Sequence, residues 1–385
     1  MSTTNFGNLN TNQLTAWSRD LWKAAREHSF TMKFAGKGPN APIQRITELT
    51  KSAKGTRAII SLVADLTGDG VMGDYTLEDS EETIEAYDLE ITIDQLRNAN
   101  RTAGRVADQK TIVGFRETSR DVLGYWLGDR IDQMSFLTLA GMAYTIKNSG
   151  GLRPVLATGK NLSDLDFASA VSAPTTNRHR NWTGSALAAG DTTVNTAVLS
   201  TPSYDMLVQA KAYAKDNYIR GIKGKGNNEY YHVFMCPQSV AKLKLDSDFL
   251  ASAQNAQPRD KSNSIWSGAI PTVDGLVIHE FRHVPNTANA TALASGSDDG
   301  VAGYKWGNYS DTAGGFDGAV VLFVGAQALG LADIGLPYWE EDEFDYKNQI
   351  GISVGKMFGL RKPKFYSNVT ETTEDFGVLR INCKL

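Results

Sequence analysis

The segment His279-Glu280-Phe281-Arg282-His283 matches H-E-x-x-H, in which two imidazoles one helical turn apart hold zinc and the glutamate activates a zinc-bound water. That chemistry needs a helix. Asp274-Gly275 reads as a turn, Leu276-Val277-Ile278 is strand-like, and Pro285 follows two residues after His283, so a helix has no room. On a strand the two His residues would share one side about 13 Å apart. Glu340 and Glu341 are available, but no third ligand follows at a recognised spacing. The pattern predicts a strand end with polar surface residues. A zinc peptidase using His279, Glu280 and His283 stands as the competing enzymatic reading.

Gly351-Ile352-Ser353-Val354-Gly355 matches the nucleophile elbow G-x-S-x-G, which must join a strand to a helix and be followed by an acid and then a His. No His follows His283, so a strand carrying two glycines is expected. Asp65-x-Thr67-x-Asp69-Gly70 begins like a calcium loop, but Thr76 stands where a bidentate Glu should close the shell. A turn at the tip of a hairpin is expected. Gly221 to Gly226, with Lys223 and Lys225, lacks the order of a phosphate-binding loop and reads as a flexible loop. No catalytic, cofactor or metal site is predicted.

The elements that would position such residues tell more. Leu14, Trp17, Leu21, Trp22 and Ala25 fall at helical spacing, so Leu14 to His28 is an amphipathic helix. Lys37 to Lys54, with Pro39 and Pro42, reads as extended, and helix plus extended stretch has the composition of an arm. Ala58 to Val63 and Ile84 to Ile93 read as two strands around a long acidic loop. Gln109 to about Lys147 carries apolar residues at helical spacing, and a helix of about 30 residues would span roughly 45 Å, longer than a compact domain wants. Gly114, Gly124, Gly128 and Gly141 are its weak points, and Gly150-Gly151 stands at the expected stop.

Beyond it, Ala173 to Thr201 and Pro285 to Gly315 read as surface loops or insertions. Between and after them a helix is expected over Ser203 to Asp216, a strand over Tyr230 to Cys236, a helix over Pro237 to Leu245, and strands over Leu276 to Glu280 and Val320 to Val324, the last turning at Gly325 into a short helix. This is an α/β region around a central sheet. Gln349 to Leu385 reads as further strands, and no internal repeat is found.

Composition narrows the function. A net charge of -4 with pI near 5.8 argues against broad, tight binding to nucleic acid and predicts weak or local contact. Two cysteines, Cys236 and Cys383, make neither a disulfide framework nor a four-Cys zinc site, and fit a reducing compartment. Met1 to Asn12 is polar, so no secretion is expected, and the apolar run Ala319 to Ala332 is too short for a membrane helix.

Charge is also segregated. Between Ala58 and Leu96 there are eleven acidic residues, among them Glu78, Asp79, Glu81 and Glu82, and no Lys or Arg. Basic residues follow at Arg97, Arg101, Arg105 and Lys110. Uncompensated carboxylates find relief against a basic surface on another copy; the same block is equally readable as solvated surface.

The order of parts, with WSRDLWKAAREHSF (Trp17 to Phe30), IDQLR (Ile93 to Arg97), WLGDRIDQ (Trp126 to Gln133), VFMCPQSVAKL (Val233 to Leu243) and FDYKNQIGISVGKMFGLRKPKF (Phe344 to Phe365), resembles tailed-phage major capsid proteins of the Hong Kong 97-type fold, and more narrowly the branch of the N4-like podoviruses. The resemblance implies an α+β fold: N-terminal arm over 1–54, extended loop over 55–101, peripheral domain with spine helix over 102–155, axial domain with insertions over 156–335, and returning strands of the peripheral domain over 336–385. It implies self-assembly as hexamers and pentamers into an icosahedral shell around double-stranded DNA, touched weakly. Scaffold, portal and decoration proteins are further expected partners, with no membrane, and the place is the virion capsid, built in the host bacterial cytoplasm. Expected contacts between copies are Trp17, Trp22, Glu78, Asp79, Glu81, Glu82, Arg97, Arg101, Arg361, Lys362 and Lys364. A soluble oligomeric scaffold that forms no shell is the third reading.

Overall fold

The computed structural model describes residues 11–47, 55, 57–63, 68–83, 86–106, 114–156, 159–190, 199–224, 228–256, 273–294, 303–307, 314–367 and 371–385. The first helix, α1 (Thr11–His28), presents Leu21, Trp22 and Ala25 on one face, and all three are buried. A single 3-10 turn, Thr31–Phe34, leads to two short strands, β1 (Ala35–Gly36) and β2 (Ile43–Ile46). Then come the hairpin strands β3 (Arg57–Val63) and β4 (Ala86–Thr92), followed by β5 (Asp94–Arg101). The long helix, α2 (Phe115–Ala140), is 26 residues, or about 39 Å at 1.5 Å per residue.

After α2 the chain forms β6 (His179–Trp182), β7 (Leu187–Ala189) and α3 (Tyr204–Asp216), whose N-cap Ser203 accepts the Met206 N–H. Next are β8 (Ile222–Lys223), β9 (Glu229–Met235), α4 (Pro237–Leu245) with proline in its first turn, and α5 (Ser247–Ala256). The remaining strands are β10 (Leu276–Glu280), β11 (Gly318–Val324), β12 (Leu329–Phe344), β13 (Gln349–Arg361), β14 (Lys364–Ser367), β15 (Thr372–Asp375) and β16 (Val378–Lys384).

Two sheets organise these elements. One runs β1-β2-β12-β13-β5; the other runs β10-β9-β11-β16-β6-β7, with β8 added beside β9. In the second sheet β9 and β10 are parallel while β11 is antiparallel to both β9 and β16. Every residue of β11 is buried, because its two faces look into different cores. Val320, Leu322 and Val324 pack with α1, α2 and the first sheet, whereas Val321 and Phe323 pack with Met206, Leu207 and Ala210 of α3. The alternation of strand side chains is what divides one apolar run between two cores.

Several expectations change. The long helix stops at Ala140, where Gly141 takes a left-handed φ of 67° and its N–H reaches back to Leu137 and Thr138, so Gly150-Gly151 is not the stop. Gly124 and Gly128 do not break α2; they are where α1 lies against it, and a Cβ on Gly128 would stand 2.8 Å from the Ala25 carbonyl oxygen. The run Ala319 to Ala332 holds two strands and no helix: β11 ends, Gln327 turns with φ 50°, and β12 begins in the other sheet. Ala173 to Thr201 is no mere surface insertion, since β6 pairs parallel with β16 and Trp182 is fully buried. Within Pro285 to Gly315, Trp306 belongs to the first core's edge and Asn286 bridges to Ala319. The C-terminal strands do not stay together either, for β12 and β13 lie in the first sheet while β16 fills the centre of the second.

Candidate inter-subunit surface

β3 and β4 pair antiparallel from Arg57 opposite Thr92 to Val63 opposite Ala86. Ala58, Ile60, Leu89 and Ile91 alternate to one face and pack on Ala332 of β12. Glycine makes that contact: a Cβ on Gly359 of β13 would lie 2.2 Å from the Thr92 carbonyl oxygen. On the outer face Arg57 and Glu90 pair at 2.6 Å, and Arg361 donates to the Glu90 carbonyl oxygen. The hairpin root is therefore bolted to its own chain.

Its far end is not. Residues 72–83 are all exposed, including Glu78, Asp79, Glu81 and Glu82. The Glu82 carboxylate accepts the Gly68 N–H at 2.7 Å, which ties the two arms of the loop together. Among these carboxylates stand Met72 at 73 %, Tyr75 at 83 % and Leu77 at 60 % exposure. Large apolar side chains held this far into water mark a contact surface. Their signal in the sequence is apolar residues inside an acidic stretch that has no strand alternation.

The basic residues divide. Arg97 and Arg101 are exposed on β5, the latter 4.3 Å over the Phe344 ring and donating to Gln349. Arg361 and Lys364 are half-buried. Lys362 is a correction, because its Nζ pairs with Asp375 at 2.7 Å with both side chains buried, and so it cannot reach another copy. Trp22 is a correction as well, because it is buried beneath Lys356, whose Nζ lies 4.3 Å over its ring, so its apolar bulk is spent locally. Trp17 is half-buried and stacks on Trp339 at 5.6 Å in the same chain.

The HEFRH residues separate. His279 sits on β10 with its Nε2 2.9 Å from Nδ1 of His232 on β9, boxed by Phe34 and Phe234. Burial pushes both imidazoles below their ordinary pKa, and with His279 beside it His232 falls to about 4. His283 lies past the strand with Nε2 2.5 Å from Asp129 of α2, and Arg282 adds a second contact at 2.9 Å. Burial works to raise the Asp129 carboxyl, but these partners win and hold it at about 2. Ser353 of the elbow-like segment lies inside β13, opposite Ala99 and Glu340. Asp65 and Thr67 fall outside the described residues, and Gly221 to Gly226 includes the β8 pairing with β9.

An anchored hairpin with an exposed apolar and acidic end, on a body of two linked sheets, offers a surface for contact with another molecule. The phage capsid protein family matches residues 5–384. The major capsid protein of Pseudomonas phage KPP25 is 48% identical over 381 residues, covering 98% of this chain and 96% of that protein. The capsid of Ralstonia phage GP4 has a similar fold, with TM-score 0.69 at 23% identity over 92% of this chain and 90% of that chain. The cyanophage Pam1 capsid matches with TM-score 0.67 at 15% identity over 100% and 96% of the two chains. The chain belongs to the phage capsid protein family: it is a major capsid protein of the Hong Kong 97-type fold, a structural protein of the virion and not an enzyme.

Proposed function

We propose that copies of this chain associate as rings of five and six and close into an icosahedral shell, with the 55–101 hairpin of each copy lying across a neighbour. The sheet carrying α2 forms the peripheral domain and the β9–β11–β16 sheet the axial domain around which the rings turn. The observation that carries this reading is the contrast along the hairpin: its root is packed on Ala332 and Gly359, while Met72, Tyr75, Leu77 and the carboxylates around them are exposed. Exposed ion pairs contribute at most about 1 kcal/mol each, so shell stability comes from area buried at many repeated contacts. Of the basic residues expected at contacts between copies, Arg97 and Arg101 are the exposed ones.

The weak negative charge suits a container whose double-stranded DNA must not adhere to the wall. Assembly in the host cytoplasm, with scaffold, portal and decoration proteins as partners, completes the reading. Purified protein examined by electron microscopy and sedimentation should give shells, tubes, or rings of five or six. Glu81→Lys with Glu82→Lys should reduce assembly while leaving the thermal midpoint in place. Unchanged shells from that variant defeat the role given to the loop, and a uniform small species from the native chain with every candidate scaffold defeats the shell.

A further inference from the structure

The loop's exposed surface has a counterpart elsewhere on the chain. Just past α2, Leu152, Val155 and Leu156 are 56 %, 61 % and 65 % exposed. This segment is held in shape by main-chain bonds: the Lys147 N–H reaches the Gly151 oxygen at 2.7 Å, and the Arg153 N–H reaches the Thr145 oxygen at 2.8 Å. Its rim is mainly basic. Lys147 and Arg282 are exposed, the latter paired with Asp129 at 2.9 Å, and Arg153 donates to Gln133 Oε1 at 3.0 Å beside Arg130, which bonds the same oxygen at 2.5 Å. Burial, and after it the Arg130 charge, push Arg153 down to about 10, with Asp129 opposing them.

One surface is thus three apolar side chains among carboxylates, and the other is three apolar side chains beside Lys147, Arg153 and Arg130, with Arg282 paired to Asp129. Exposed apolar area beside charge mainly of one sign fits an apolar partner whose charge is mainly of the opposite sign. The geometry points to the second surface as the receptor for the loop: Met72, Tyr75 and Leu77 of one copy pack on Leu152, Val155 and Leu156 of a second copy of this chain, with Glu81 and Glu82 facing Lys147 and Arg282. This rests on the shell reading and names the surface that the loop meets, which differs from the β5 arginines offered above.

Cysteine pairing tests it, because the native Cys236 and Cys383 are buried and leave a quiet background. Chains carrying Leu77→Cys are co-assembled with chains carrying Leu156→Cys, oxidised, and run on a non-reducing gel. A mixed dimer at least tenfold above either variant alone is expected. Shells that form without the mixed dimer overturn this contact and leave the shell reading intact, whereas no shells from the native chain overturn both. Should the cysteine variants fail to assemble, charge reversal decides: Glu81→Lys with Glu82→Lys is expected to cut shell yield at least tenfold, and adding Lys147→Glu with Arg282→Glu to restore it. Loss without restoration overturns the contact.

Discussion

The carboxylate of Asp132, midway along α2, accepts the main-chain N–H of Thr31 at 3.0 Å. It also accepts from the Phe30 N–H at 2.7 Å, from Ser29 Oγ at 2.6 Å and from Thr31 Oγ1 at 2.5 Å. Four donors from the end of α1 and the turn after it converge on one buried carboxyl. Burial raises its pKa, and the hydrogen bonds offset part of that cost. This is the clasp by which the N-terminal helix leaves its packing on α2 and heads for the β9–β10 edge.

Asp132→Asn replaces one acceptor with an NH2 group, which then faces the Phe30 N–H or the Thr31 donors. A loss of about 1–3 kcal/mol is expected from the unsatisfied buried donors. Urea titration should show a lower midpoint, with earlier proteolysis between Ser29 and Phe34. An unshifted midpoint would show that the clasp adds nothing.

Two glycines of α2 should respond with opposite sign. Alanine at Gly124 meets Ala24 Cβ at 3.5 Å, ordinary contact, so helix propensity prevails and stability rises by up to about 1 kcal/mol. At Gly128 the new Cβ would stand 2.8 Å from the Ala25 backbone, and displacing α1 costs about 1–3 kcal/mol, more than propensity returns. Thermal midpoints of the two variants should straddle the native value.

Lys362 should behave as a folding residue and not an assembly residue. It pairs with Asp375 in the interior, next to Arg178, whose Nη2 lies 2.8 Å from Glu374. Removing one partner strands the other charge, so Lys362→Ala should cost about 3–5 kcal/mol. Insoluble or unfolded chains are expected; a folded chain of native midpoint that merely fails to assemble would contradict the burial.

Acid should weaken the fold in two stages. The unfolded chain takes up a proton at His232 near 6.5, the folded chain near 4, so this contribution is complete above pH 6.5 and declines as pH falls from 6.5 towards 4. Asp129, held at about 2 against an ordinary 3.8, loses its contribution between those values. Asp132 acts in the opposite sense because burial raises it. Thermal midpoints across pH 4 to 7 should fall on the acid side, and His232→Gln should flatten that slope; a native-like slope in the variant would assign it to other groups.

Periodicity and capping made much of the local structure legible before any packing was known. The α1 stripe, the hairpin alternation, Pro237 at the start of α4 and Ser203 before α3 all act within a few residues, so the chain declares them itself. The end of α2 was harder, since Gly141 and Gly150 are equal as stop signals and only the left-handed turn at Gly141 selects between them.

The amino-acid sequence by itself determined the α+β order of elements, the acidic loop without basic residues, the failure of the HEFRH context as a helix, and the family. Tertiary structure alone decided that Trp22 and Lys362 are used inside the chain, that β16 returns to the centre of the second sheet, and that Leu152, Val155 and Leu156 stand open near Lys147 and Arg153. Those outcomes depend on which surfaces meet across hundreds of residues. An apolar or charged side chain carries no local mark of whether its partner lies in its own chain or in the next copy.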